Sequence, residues 1–344
     1  MDEPGETVYD FYEYNFSWPW NYTYENYTDE YDQLGYFHPL VPAAILAISM
    51  YALTFVVGAP GNAAVIWVAG FKMKRTVNTV WFLNLAAADL AYCLSLPFQI
   101  AHVALGNRWP DTAALCRLLP CAILLNMAAS VFLLTAVSID RCLAITLPVW
   151  SQRWRTPGRA WASCAGLWAL AGLMCLPALL HRRLAPGTSI CVADYAGVAR
   201  LVEVSRATVA FGLPFLVMAA CYLLIGLRVR RAGFGKSRRR PLRLILAVVL
   251  AFFVCWLPYH LFGLLQAFGH DGAALRAWDY VTVGLASLNS ALNPLLYVFA
   301  GRDFRQRARR SLGSTLRRAL SEEASSQTVR SSRLKSRSSL DYTL

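Results

Sequence analysis

The first 71 of the 344 residues contain neither lysine nor arginine, although the chain carries a formal net charge of +13. Charge is scarce overall. Charged residues make up 15% of the chain against 57% apolar ones, too few groups to solvate the surface of a water-soluble protein. Further absences exclude particular functions. No cysteine follows Cys255, so the tail lacks a palmitoylation site, and no lysine lies between Tyr280 and Gly301 to form a retinal Schiff base. Repeat halves and abundant intramembrane charges, the marks of a transporter, are missing. His102 and His260 have no serine or aspartate at catalytic spacing, so an intramembrane protease is not expected, nor an enzyme of another kind.

What the chain has instead is long apolar stretches, near 41–69, 77–103, 113–143, 160–180, 204–227, 242–268 and 281–299. A helix needs about 20 apolar residues to cross the hydrocarbon layer. The fold class predicted is therefore an all-α membrane protein, a bundle of seven transmembrane helices. Pro97, Pro177, Pro214, Pro258 and Pro294 fall inside the stretches, which packed membrane helices tolerate when neighbours satisfy the freed carbonyls. Lys72, Lys74 and Arg75 follow the first stretch and Arg153, Arg155 and Arg159 the third. After the fifth come Arg228, Arg230, Arg231, Lys236, Arg238, Arg239 and Arg240. Basic residues stay cytoplasmic, so the N-terminus is expected outside the plasma membrane and the tail inside. The positive charge then faces anionic inner-leaflet lipid rather than nucleic acid. No basic, cleavable leader is apparent, and the first span is expected to act as its own insertion signal.

The organisation that follows is an extracellular arm over 1–40, the seven-span domain over 41–300, an amphipathic membrane-surface helix over 301–318 and a cytoplasmic tail over 319–344. In the arm, Asn15, Asn21 and Asn26 each begin an Asn-X-Ser/Thr glycosylation acceptor. Tyr9, Tyr12, Tyr14 and Tyr24 stand among aspartates and glutamates, the setting that tyrosine sulfation favours. The arm reads as an acidic, aromatic capture segment for a basic protein ligand; the plain alternative is a solvated leader. Of nine cysteines, seven lie in or at the ends of spans and read as small buried hydrophobes. Cys116 and Cys191 remain outside, in an oxidising compartment, and are expected to form a disulfide.

An ionisable residue at membrane depth is expensive and usually functional. Asp89 is that residue in the second span, and Asn62, Asn126, Ser130, Asn289, Ser290 and Asn293 lie at compatible depths. Together they suit a sodium ion, which seeks hard oxygen ligands; the alternative is a polar network that only joins helices. No other cofactor is implied. In the tail, Phe304, Ala308, Leu312 and Leu316 recur every four residues among arginines, the pattern of a helix lying on membrane lipid.

Three patterns decide in combination. Asp140-Arg141-Cys142 closes the third span, Cys255-Trp256-Leu257-Pro258 lies in the sixth, and Asn293-Pro294-Leu295-Leu296-Tyr297 interrupts the seventh. With Asn62, Asp89, Trp168, Pro214 and Tyr222 in place, the chain from Val41 to Leu316 resembles the rhodopsin-like G-protein-coupled receptors. The resemblance implies that Arg141, held by Asp140 at rest, meets the G protein, that Trp256 and Phe252 relay motion of the sixth helix, and that Tyr222 and Tyr297 stabilise the active state with Asn293 and Pro294. The departure is Cys142, where tyrosine is usual. Ser325, Ser326, Thr328, Ser331, Ser332, Ser336, Ser338 and Ser339 in the tail are expected phosphorylation sites that create an arrestin-binding surface.

The segments 71–90, 105–111, 126–145, 147–153 and 303–312 are similar to the chemoattractant branch, the anaphylatoxin, chemerin and formyl-peptide receptors. The tyrosine-acid arm and the short loop after Cys191 look most like the receptor for the fifth-component anaphylatoxin, with the third-component receptor next. That resemblance implies an inhibitory-class G protein and a basic ligand ending in arginine. Asp279 would take the guanidinium, and Arg206 and Arg182 the carboxylate, with Tyr259 packed between. Against this stands a plainer reading, in which Arg206 pairs only with Glu203 and Asp279 with Arg276. A scavenger receptor that never couples is the remaining alternative.

Overall fold

Seven long helices follow the seven apolar stretches, and several outrun them. The computed structural model describes residues 42–105, 113–184, 191–193, 195, 197–231, 236–270 and 273–300. The helices are Pro42–Lys72, Val77–Ala104, Ala113–Thr146, Pro157–His181, Ala199–Arg231, Lys236–Ala267 and Ala273–Ala300, called first to seventh below. Apolarity marks the thickness of the hydrocarbon, whereas helical hydrogen bonds are local to the backbone and continue through Lys and Arg, which are good helix formers. The sixth helix accordingly begins at Lys236, in the basic run, and the fifth ends at Arg231. Among the described residues six helices are long and apolar enough to cross a membrane. The seventh carries Ser287, Asn289, Ser290 and Asn293, all buried by its packing against the first and sixth. The arm over 1–40, the helix over 301–318 and the tail lie outside the described residues.

Local chemistry explains the joints. Thr76 opens the second helix with a reciprocal cap: its Oγ1 accepts from the Thr79 amide at 3.3 Å while the Thr79 Oγ1 accepts from the Thr76 amide at 2.7 Å. Pro157 stands in the first turn of the fourth helix behind the Thr156 cap, where its missing N–H costs nothing. In the fifth helix Pro214 cannot donate to the carbonyl four residues back. The helix widens into a π-turn over Thr208–Gly212 just before it. A short helix, Pro148–Trp154, joins the third and fourth at the end of the bundle expected to face the cytoplasm, called inner below, the opposite end being called outer.

The outer loop after the fourth helix departs from an all-helical picture. Strands β1 (Arg182–Leu184) and β2 (Cys191–Ala193) pair antiparallel, with Arg182 opposite Ala193 and Leu184 opposite Cys191. Cys116 and Cys191 are joined by a disulfide with Cα atoms 5.5 Å apart, which ties this hairpin to the outer end of the third helix. The other seven cysteines are free, six buried and Cys121 partly so.

The third helix is the centre of the bundle: 72% of its most apolar window is buried, against 22% for the fourth, which lies on the rim. Trp168 crosses between the fourth and second helices, its Nε1 donating to Asn84 Oδ1 at 3.1 Å. The first helix is held to the seventh by Asn62, whose Nδ2 donates to the carbonyls of Gly58 at 3.0 Å and Ser290 at 2.8 Å. Glycine makes that approach available. A Cβ on Gly61 would lie 2.8 Å from Pro294 Cγ, and one on Gly58 2.7 Å from Cys93 Sγ. The proline ring cannot swing away. Gly61→Ala is therefore expected to destabilise the bundle by about 1–3 kcal/mol through overpacking, read as a lower melting temperature of the purified protein. Gly166→Ala, which meets nothing within 4 Å, should leave it unchanged.

Candidate functional site

At the outer end of the bundle three helices and the hairpin bring buried charges together. Arg182, Glu203, Arg206, Tyr259 and Asp279 are each less than 9% exposed. Arg206 is shared. Its Nη1 donates to Tyr259 Oη at 3.0 Å, and its Nη2 pairs with the Glu203 carboxylate one turn earlier. Gly263 on the sixth helix makes room for that carboxylate, since a Cβ there would lie 2.9 Å from Glu203 Oε2. The plainer pairing of Arg206 with Glu203 is thus present, with Tyr259 added to it.

Arg182 is the first residue of β1, one position past the fourth helix, and its carbonyl accepts from Arg117 Nε at 3.0 Å. Burial pushes its guanidinium down to about 10, partly offset by Tyr195 and Tyr259, so it remains a cation at neutral pH. Asp279 makes no ion pair among the described residues; the side chain of Arg276 lies outside them. The cluster therefore holds two guanidinium groups and two carboxylates, with Asp279 the carboxylate left over.

Beneath it, Tyr259 packs edge-on to Trp256 with centroids 5.6 Å apart, and Trp256 leans on Phe252 at 5.9 Å. Trp256 and Phe252 are fully buried, linking the charged cluster to the middle of the sixth helix. At that depth Asp89 accepts from Ser290 Oγ at 2.9 Å and Asn293 Nδ2 at 2.6 Å. Asn126 Nδ2 donates to Ser290 Oγ at 3.1 Å, and Ser130 Oγ reaches Asn126 Oδ1 at 3.5 Å. All the residues proposed around Asp89 are buried, but Asn62 bonds backbone carbonyls rather than the carboxylate. Oδ1 of Asn62, of Asn289 and of Asn293 is buried without a partner. One carboxylate among unpartnered amide oxygens fits a monovalent, oxygen-seeking cation. Among the described residues no cluster of His, Cys, Asp and Glu fits a transition metal.

At the inner end Asp140 is claimed by two arginines. Arg141 Nη2 approaches Asp140 Oδ2 at 3.2 Å, while Arg155 grips both oxygens, Nε to Oδ1 at 2.8 Å and Nη2 to Oδ2 at 3.1 Å. Arg155 Nη2 also donates to Asn78 Oδ1 on the second helix. Arg141 Nε is buried without a partner. Tyr222 is half-buried between the third and fifth helices, Pro294 is buried in the seventh, and the side chain of Tyr297 lies outside the described ones. So do Tyr9, Tyr12, Tyr14, Tyr24, Asn15, Asn21, Asn26 and every tail residue from Ser325 to Ser339.

A family model described as the seven-transmembrane receptor (rhodopsin family) matches residues 61–297. The chain belongs to that family. It is a multi-pass membrane receptor and not an enzyme. The C3a anaphylatoxin chemotactic receptor of Oncorhynchus mykiss is 41% identical over 347 residues, covering 94% of this chain and 93% of its own length. The C5a anaphylatoxin chemotactic receptor 1 of Oryctolagus cuniculus is 39% identical, covering 93% and 96%. The C3a anaphylatoxin chemotactic receptor of Rattus norvegicus is 32% identical over 435 residues, covering 83% and 92%.

Sequence reasoning missed Arg155, Asn78 and Gly263. Arg155 reads as one more inner-face cation, and no spacing rule connects it to a carboxylate fifteen positions earlier or to the second helix. The receptor's outer cluster also carries a stability consequence. Truncating Glu203 to Ala strands a buried guanidinium, which costs about 3–5 kcal/mol. Glu203→Ala is expected to lower the melting temperature of the purified receptor sharply. Adding Arg206→Met, which removes the stranded charge and keeps the volume, should recover most of the loss.

Proposed function

We propose that this receptor sits in the plasma membrane with its N-terminus outside, binds a complement anaphylatoxin, and activates a G protein of the inhibitory class to drive chemotaxis and inflammatory responses. The observation that carries the ligand reading is Asp279, a buried carboxylate with no ion pair among the described residues, at the same end of the bundle as Arg206 and Arg182. A peptide ending in arginine presents a guanidinium and a carboxylate a few ångströms apart. Asp279 suits the first as a bidentate partner, and the two arginines suit the second. Identity of about 40% with receptors named for C3a and C5a supports the same ligand class.

Within that class the tyrosine- and acid-rich arm favours the fifth-component fragment, with sulfated Tyr9, Tyr12, Tyr14 and Tyr24 docking the basic ligand body. The third-component fragment is the second reading. The match to the rat C3a receptor extends over 435 positions and so includes a large insertion in that receptor, whereas the match to the trout C3a receptor extends over only 347. Overall length therefore does not separate the two. The remaining assignments complete the reading: glycans on Asn15, Asn21 and Asn26, a sodium ion at Asp89 holding the resting arrangement, and arrestin on the phosphorylated tail.

Calcium or cyclic-AMP responses of transfected cells to purified fifth-component, third-component, chemerin and formylated ligands test the branch. A response to formylated peptide alone overturns it. Asp279→Asn should weaken an intact ligand by about 2–4 kcal/mol, because the ligand guanidinium is left buried and unpaired. The loss should be much smaller for a ligand lacking its terminal arginine. Equal losses for both would remove Asp279 from the site.

On the inner side, Arg141→Ala should abolish G-protein activation while surface expression and ligand binding persist. Cell-surface staining, radioligand binding and nucleotide exchange separate these. Preserved exchange would assign coupling to other residues, whereas ligand binding without any exchange in the unaltered receptor would favour the scavenger alternative.

A further inference from the structure

The inner ends of the first, second and fourth helices enclose a cavity of about 260 Å³. Its apolar wall includes Ile66 and Phe71 of the first helix, Val80 and Leu83 of the second and Trp161 of the fourth, and Arg75 stands at the turn between the first two. Phe71 is 72% and Trp161 44% exposed, so the cavity opens on the perimeter of the bundle, where lipid lies. Two local features create it. The first helix widens into a π-turn over Val68–Lys72, a distortion that concentrates at functional sites. Gly70 inside that turn contributes no side chain, and a Cβ there would meet only Leu83 Cδ1, at 3.8 Å.

Charge identifies the occupant. No acidic residue lines the cavity, and Arg75 makes no ion pair among the described residues. Two arginines from the segment before and at the start of the fourth helix are engaged elsewhere: Arg155 by Asp140 and Asn78, Arg159 by the Trp154 ring at 4.2 Å and its carbonyl at 3.0 Å. We propose that the cavity binds a phospholipid with an anionic headgroup, its phosphate on Arg75 and one acyl chain along Ile66, Phe71, Leu83 and Trp161. The volume falls below the roughly 300–1,000 Å³ of compact small-molecule pockets, which suits a single extended chain. Anionic lipid is concentrated in the cytoplasmic leaflet, and indoles sit at headgroup level. The proposal shares its inner-face assignment with the functional reading. Its test does not, because both leaflets of a nanodisc hold the same lipid.

The full-length receptor is placed in phosphatidylcholine nanodiscs containing a small fraction of brominated-chain phosphatidylserine or brominated-chain phosphatidylcholine. Quenching of Trp161 is read as the difference between the receptor and its Trp161→Phe variant. Brominated phosphatidylserine should quench at an about fivefold lower mole fraction than brominated phosphatidylcholine, the effect of one cation near the headgroup. Arg75→Gln should erase the preference and Arg75→Lys keep it. Gly70→Leu should fill the cavity and reduce Trp161 quenching by both lipids; if that variant fails to fold, the Arg75 pair decides. Equal quenching by the two lipids in the unaltered receptor, or a preference that survives Arg75→Gln, overturns the site. A brominated sterol that quenches Trp161 more strongly than phosphatidylserine, with no dependence on Arg75, assigns the cavity to sterol and also overturns it.

Discussion

Hydrocarbon accepts no hydrogen bonds, so every polar group in this bundle has to find its partner inside the protein, and Asp89 is where that constraint is most severe. Its carboxylate draws Ser290 and Asn293 from the seventh helix, and Asn126 of the third joins through Ser290. Asn62 adds the first helix by bonding the Ser290 carbonyl. Four helices thereby meet at one level. The small residues follow from the same requirement: Asn62 reaches the seventh helix only because Gly58 and Gly61 let the two backbones close. Polar contacts and glycine contacts are one design, since short reach demands close approach.

The two ends of the bundle solve a different problem, charges that are buried but shared. At the outer end Arg206 divides between Glu203 and Tyr259, and at the inner end Asp140 divides between Arg141 and Arg155. Between them run Tyr259, Trp256 and Phe252, packed ring against ring along the sixth helix. A densely packed aromatic column transmits displacement because interiors compress little. In the proposed function, a ligand drawn to Asp279 and Arg206 acts on the top of that column, and the coupling machinery lies beyond its foot.

Much of this was legible in the sequence because membrane solvent punishes ambiguity. Apolar length gave seven helices, and the cost of a membrane-embedded carboxylate singled out Asp89 before its partners could be seen. The Cys116–Cys191 bridge followed from sorting cysteines by side, and the structure contains it. Helix ends were less legible: the sixth starts in the basic run at Lys236 because backbone hydrogen bonding ignores the membrane boundary. The β1–β2 hairpin was invisible, since three-residue strands carry too little alternation to read. Least legible were long-range side-chain contacts. Arg155 to Asp140 and Glu203 against Gly263 depend on how helices cross, and no periodicity encodes that.

Sharing has a consequence for switching that simple pairing does not. A buried ion pair broken outright strands two charges at a cost of several kcal/mol, too much for a weak signal to overcome. Where one carboxylate already serves two guanidinium groups, a cation can leave while the carboxylate keeps a partner. Asp140 is held by the fork of Arg155 through both oxygens, so loss of the single longer contact to Arg141 leaves it satisfied. Arg141, with its Nε already unpartnered, is the member less firmly held. The outer cluster has the same logic with the sign reversed: Arg206 retains Tyr259 if Glu203 is drawn away, and retains Glu203 if the tyrosine turns. Both ends are thus built so that one contact can be exchanged without stranding its neighbour, which keeps the barrier between arrangements within reach of a binding energy.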